Sequence, residues 1–206
     1  EWCVVTFAAA KLGAVLVAVN TWYKAEDLRH VLRHSGAKAL VMLDRFLKND
    51  YLDELGKLIP GLMAEAAPPF AELPDLQHII VYGERVPKCA HAYDAILERG
   101  GKLSGEVLKS ERPGPEDIMY ILFTSGSTAR PKGVTLIHKH LIENGYDIGE
   151  RQHIHDNDRL WLGVPVFFSL ASANALMAAL THGAGVVLQE VFEAEEAMRL
   201  IERHRC

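Results

Sequence analysis

Residues 124–133 read Thr-Ser-Gly-Ser-Thr-Ala-Arg-Pro-Lys-Gly, four hydroxyl side chains in five residues around one glycine, then a lysine between proline and glycine. These residue types suit a polyphosphate. Gly126 lets the backbone come close to an anion, because no Cβ stands in the way. Successive loop N–H groups form an anion-binding concavity. The hydroxyls of Thr124, Ser125, Ser127 and Thr128 add uncharged donors, and Lys132 adds one mobile positive charge. With water excluded, each charge-assisted hydrogen bond contributes about 1.5–3 kcal/mol. An ordinary surface turn has a similar composition. This loop, however, follows five consecutive apolar residues, 119–123, which read as a buried strand, and α/β folds bind ligands outside strand ends. The common nucleotide loop, Gly-x-x-x-x-Gly-Lys-Ser/Thr, is not matched: the second glycine and the magnesium-binding hydroxyl after the lysine are missing.

The elements that must position this loop follow from periodicity and turn residues. Residues 2–12 read as a helix and 14–19 as a short β-branched strand. Residues 24–35 form a helix with an apolar stripe at Leu28, Val31 and Leu32, stopped by Gly36. A strand follows over 39–43, a helix over 46–59 closed by Pro60-Gly61, and an Ala- and Pro-rich loop over 63–74. Residues 76–82 read as a strand, 91–98 as a short helix, and 102–115 as a polar connector leading to the hydroxyl-rich loop. Beyond the loop the chain is expected to turn helical, with a helix over 138–153, a strand over 160–164, a helix over 169–182, a strand over 186–189 and a last helix over 194–204. Such alternation predicts an α/β fold of parallel sheets flanked by helices.

Thr124 to Gly133 resembles the phosphate-loop signature of the adenylate-forming superfamily, Thr/Ser-Ser-Gly-Ser/Thr-Thr-Gly-x-Pro-Lys-Gly, found in acyl-CoA synthetases, luciferases and non-ribosomal adenylation domains. Ala129 departs from it, standing where the family has Gly or Ser; at a positive φ it would strain the turn by about 1–2 kcal/mol. A second stretch, Pro165-Val-Phe-Phe168-Ser-Leu-Ala171, is similar to the family's Pro-x-Phe-His/Trp-x-x-Gly segment, with Ala171 in the glycine position. Plain core aromatics are the other reading of Phe167 and Phe168.

The resemblance implies part of the large N-terminal domain of an adenylate-forming enzyme, acyl-CoA synthetase-like, incomplete at both ends and without the C-terminal lid domain. It implies an acid–thiol ligase that activates a carboxylic acid, a fatty acid by preference, with ATP and Mg2+ to an acyl-adenylate, then transfers the acyl group to CoA. Thr124, Ser125, Gly126, Ser127 and Thr128 would bind the phosphates, Lys132 would act catalytically on the leaving pyrophosphate, and Phe168 and Asn174 would line the substrate pocket. The family's Tyr-Gly-x-Thr-Glu segment, which holds adenine and magnesium, its ribose-binding Asp and its lid lysine are not among these 206 residues. These residues alone are therefore expected to bind ATP weakly and not to turn over, with most magnesium ligands lying elsewhere. The alternative from another class is a non-catalytic homologue acting as an interaction module.

The remaining polar clusters have plainer readings. His30 and His34, spaced i, i+4, would face one way on a helix, but no neighbouring Cys, Asp or Glu completes a metal site, so both are read as surface histidines. His138 and His140 are read as a solvated helix start, and His153, His155, Asp156 and Asp158 as turn residues. Glu193, Glu195 and Glu196 suit a helix N-terminus electrostatically. A net charge of −5 without a basic face argues against nucleic acid, and no run reaches the ~18–20 apolar residues of a membrane span. Cys3, Cys89 and Cys206 have no disulfide or metal spacing, which points to free thiols in a reducing, cytoplasmic setting.

Overall fold

The structure, a computed structural model, describes residues 1–105, 112–124 and 130–206. It is α/β, with parallel sheets and seven α-helices among the described residues. The chain divides into two units: residues 1–20, 111–122 and 134–206 form the first, and residues 21–110 and 123–133 the second.

In the first unit, helix α1 (Trp2–Lys11) leads to strand β1 (Leu16–Ala18). β1 pairs in parallel with β7 (Ile118–Thr124), Leu16 opposite Tyr120 and Ala18 opposite Leu122. β7 extends the apolar run 119–123 by one residue at each end, and its Met119, Tyr120 and Leu122 are buried. β8 (Lys132–Ile137) lies on the other side of β7. No strand was expected between the loop and the helix read from residue 138; β8 fills that interval. Val134, Thr135 and Ile137 are β-branched and suit a pleated ladder, and helix α5 (His138–Gln152) starts only after it. Strands β9 (Arg159–Leu162) and β10 (Gly185–Leu188) pair in parallel, and helix α7 (Ala194–His204) closes the chain. Glu193 caps α7 by accepting from the N–H groups of Glu195 and Glu196 at 3.0 and 2.8 Å.

The helix expected over 169–182 is two structures. Leu170–Ala175 is π-helical, and helix α6 (Leu176–Thr181) continues it. α6 meets α5 through glycine: a Cβ on Gly145 would fall 2.7 Å from the backbone carbon of Met177, which cannot move aside as a side-chain tip could. Gly145→Ala is therefore expected to destabilise the protein by about 1–3 kcal/mol through overpacking. Urea unfolding measures this, and an unchanged midpoint would show that the helices separate freely.

The second unit holds helix α2 (Ala25–Ser35), strand β2 (Ala39–Leu43), strand β5 (His78–Tyr82) and strand β6 (His91–Ala92), the strands in the order β2-β5-β6 and all parallel. α2 buries Val31 and Leu32 and ends at Gly36, whose φ of 61° closes it in the left-handed region. Leu32, Leu52, Leu55, Ile79 and Val81 share one core. Of two expected helices here, one is shorter and the other shifted. The reading of 46–59 gives way to an antiparallel pair, β3 (Arg45–Phe46) and β4 (Asn49–Asp50), with Leu47 at a φ of 52°, before helix α3 (Tyr51–Gly56) begins. Asp50 caps α3 by accepting from the Asp53 N–H at 2.9 Å. His91 and Ala92 join the sheet, so helix α4 (Tyr93–Gly100) starts two residues late.

Asp44, at the end of β2, is 4% exposed. Its carboxylate accepts from the backbone N–H of Arg45 at 2.7 Å and of Arg85 at 3.3 Å, and faces Arg85 Nε at 3.5 Å. Arg85 also pairs with Asp50 at 2.8 Å. Gly83 lies against the Asp44 carboxylate with a φ of 148°, leaving no room for a side chain.

Candidate functional site

Two arms carry the hydroxyl-rich loop. One leaves β7 at Thr124 and the other enters β8 at Lys132, the two strands being neighbours in one sheet. Both Thr124 and Lys132 are exposed, as donors to a soluble anion must be. Ser125, Gly126, Ser127, Thr128 and Ala129 lie outside the described residues, and with them the expected strain at Ala129.

Helix α2 meets both arms. His30 Nε2 lies 2.9 Å from the Pro131 carbonyl oxygen. A carbonyl only accepts, so the ring donates from Nε2. The His30 and His34 rings stack at 5.4 Å and 21°, and each makes a T-shaped contact with Phe123, at 6.3 and 6.1 Å. His34 is exposed as expected, but His30 is half-buried and bonded, a correction to its reading as a surface side chain. The signal was absent from local sequence because the partner lies 101 residues away. A cleft of about 480 Å³ opens here, lined by Arg29, His30, Arg33, His34, Arg130 and Pro131 with Glu26 and Asp27. Its cations are already engaged in part: Arg29 pairs with Glu26 at 2.6 Å and Glu72 at 3.5 Å, and Arg33 donates to the Glu72 carbonyl at 3.2 Å.

The second segment belongs to the first unit. Phe167 packs against the buried cluster of Tyr120, Leu122, Leu141 and Met177, while Phe168 is 39% exposed, its ring centroid 4.5 Å from that of Phe167. Ala171 is fully buried. Asn174 sits on the π-helical turn, a geometry frequent at functional sites. Its side-chain oxygen accepts from Asn144 Nδ2 of α5 at 3.0 Å, and the same amide donates to the Ala173 carbonyl at 3.3 Å. Asn144 is thus a further polar residue of this segment that the sequence reading did not single out.

The other histidines divide. His138 is half-buried at the start of α5, and its backbone N–H donates to the Asp117 carbonyl at 3.0 Å, while His140 is exposed. Asp158 accepts from the His155 N–H at 2.7 Å, the turn chemistry expected of that cluster. His182, not noted in the sequence, stacks on Tyr146 at 5.2 Å and faces Glu150 at 3.3 Å; Gly149 leaves room for its ring. Among the described residues no three His, Cys, Asp or Glu side chains converge to hold a metal. Nor is any helix among them long and apolar enough to cross a membrane.

Comparison with known proteins adds relatives to this geometry. The profile of one protein family, described as AMP-binding enzyme, matches residues 1–206. The acyl-CoA ligase SID4 of Ajellomyces capsulatus is 32% identical over 208 residues, covering 100% of this chain and 34% of that protein. The human medium-chain acyl-CoA ligase ACSF2, mitochondrial, is 31% identical over 215 residues, covering 99% of this chain and 35% of its own. A crystal structure of the anthranilate CoA ligase AuaEII with anthranoyl-AMP matches with a TM-score of 0.79, over 98% of this chain and 36% of that one. At 23% identity this is a likeness of fold. The chain spans about a third of the length of these curated relatives.

Proposed function

Because the chain belongs to the AMP-binding enzyme family, we propose that it forms part of a ligase that activates a carboxylic acid with ATP and passes the acyl group to CoA. A carboxylate oxygen attacks the α-phosphorus of ATP. The bond from that phosphorus to the bridging oxygen breaks, and pyrophosphate leaves with the electron pair. The CoA sulfur then attacks the acyl carbon of the adenylate, its proton passes to solvent, and AMP departs. The single observation that carries this reading is the match of residues 124–133 to a phosphate loop, with its two arms set on neighbouring strands and both Thr124 and Lys132 open to solvent.

In this reading Thr124, Ser125, Gly126, Ser127 and Thr128 hold the β- and γ-phosphates, and Lys132 neutralises the charge that grows on the leaving pyrophosphate. Positioning and preorganised charge are the main routes by which such a barrier falls. ATP would enter as its magnesium complex, with most of the metal's protein ligands lying outside residues 1–206. Phe168 and Asn174 border the acyl pocket, and the exposed ring of Phe168 favours an apolar acid, of which a fatty acid is the representative. We place the protein in the cytoplasm on its three unpaired thiols, Cys3, Cys89 and Cys206; cell fractionation checks this.

The test is carboxylate-dependent exchange of labelled pyrophosphate into ATP. The full-length protein is expected to catalyse exchange with aliphatic acids. Residues 1–206 alone are expected to show none, since the relatives that they match are nearly three times as long. Failure of the full-length protein across a panel of aliphatic and aromatic acids would refute the reading.

A further inference from the structure

Proline at 131 creates a particular problem for a loop that must present the next residue accurately. Pro131 has no N–H, so this point of the arm cannot be pinned by donating a backbone hydrogen bond. Its carbonyl is the polar group left to hold, and His30 Nε2 holds it at 2.9 Å. The peptide group from the Pro131 Cα to the Lys132 Cα is planar and stiff. Fixing that carbonyl therefore fixes the direction in which the chain delivers the Lys132 backbone.

The opposite arm meets the same helix. Phe123, the residue before Thr124, makes T-shaped contacts with both rings of the stacked His30–His34 pair. The pair stands on α2, a two-ended anchor: Val31 and Leu32 are buried, Gly36 closes its C-terminus, and the Ala25 N–H donates to Glu54 at 2.9 Å near its start. Phe123 and Pro131, separated by seven residues of chain, thus meet one rigid element.

We propose that His30 is a positioning residue for the phosphate loop. By donating to the Pro131 carbonyl while its stack with His34 borders Phe123, it sets the spacing of the two arms and aims Lys132 at the pyrophosphate. The catalytic consequence rests on the function proposed above, but the clamp itself does not. The hydrogen bond acts through the arm's geometry, so its loss lowers turnover more than it weakens nucleotide binding.

Two variants separate the hydrogen bond from the ring. His30→Phe keeps an aromatic ring beside His34 and Phe123 but removes the donor; His30→Gln returns an N–H donor on a side chain of similar reach. In the full-length protein, His30→Phe is expected to lower kcat for pyrophosphate exchange about tenfold, which is 1.4 kcal/mol, with the KM for ATP within about twofold. His30→Gln is expected to recover most of the loss, and melting temperatures of both are expected to stay close to wild type. A general loss of fold would lower stability in both variants without rescue by Gln.

A second readout needs no activity. Trypsin cleaves after Lys132 but not between Arg130 and Pro131, so the rate of cleavage at Lys132–Gly133, read by mass spectrometry, reports opening of this arm. Cleavage is expected to rise about tenfold in His30→Phe and to fall back in His30→Gln. Unchanged cleavage and exchange in His30→Phe would overturn the proposal, as would a Gln variant as impaired as the Phe variant. Faster cleavage with unaltered exchange would also remove the catalytic role. Absence of exchange in the wild type itself would count against the ligase reading, leaving the clamp to be decided by cleavage.

Discussion

Lys132→Ala is expected to lower kcat for pyrophosphate exchange about a hundredfold in the full-length protein while the KM for ATP changes little. The reason is where the charge grows. Ground-state ATP already carries its phosphate charge, and in the proposed reading hydroxyls and backbone N–H groups would meet much of it. As the bond to the α-phosphorus breaks, negative charge accumulates on the departing oxygen, and a preorganised cation there contributes most at that moment. A hundredfold loss corresponds to about 2.7 kcal/mol of transition-state stabilisation. Lys132→Arg keeps the charge but replaces a compact ammonium with a planar fork, so a partial recovery is expected. Steady-state kinetics at varied ATP decides the matter: an unchanged kcat with a raised KM would show that Lys132 serves binding alone.

Asp44→Ala is expected to destabilise the protein by about 3 kcal/mol, because it removes two backbone hydrogen bonds to a buried carboxylate and leaves donors of Arg85 and Arg45 without their partner. The same carboxylate makes the second unit sensitive to acid. Burial alone would raise the Asp44 pKa, but the N–H groups of Arg85 and Arg45 and the Arg85 guanidinium outweigh burial and hold it below the ordinary value. Asp50 is lowered too, first through its bond from Arg85. Glu54 is also lowered, since Lys57 and the Ala25 N–H more than offset its burial. A carboxyl whose folded pKa lies below its unfolded value contributes stability that is complete above the unfolded value, roughly 4, and is lost as pH falls through the folded one. Stability is therefore expected to decline steeply below about pH 4. Asp44→Asn should flatten that decline, and equal slopes for wild type and variant in pH-dependent urea unfolding would refute the assignment.

What the sequence determined by itself was what local pattern encodes. The apolar run before Thr124 is strand β7, the stripe of Leu28, Val31 and Leu32 stopped by Gly36 is helix α2, and the alternation of elements is an α/β fold with parallel sheets. Side-chain period and turn chemistry act over a few residues, so they can be read without knowing neighbours. Family membership belongs to the same class: the residue types of 124–133 that carry the resemblance are contiguous, and the family profile spans the whole chain.

Tertiary structure decided where distant residues compete with local preference. Residues 46–50 look helical in isolation but fold with Arg45 as a β-hairpin, with the Asp44 carbonyl accepting from the Tyr51 and Leu52 N–H groups beyond it. Lys132–Ile137 becomes a strand because β7 offers an edge to pair with, and His91–Ala92 leaves its helix because β5 does the same. Strand pairing is a long-range reward that no window of sequence contains. The histidine pair shows this most directly. Spacing alone put His30 and His34 on one helix face, but only the fold brought Pro131 and Phe123 to that face, giving His30 a hydrogen-bond partner and both rings an aromatic neighbour.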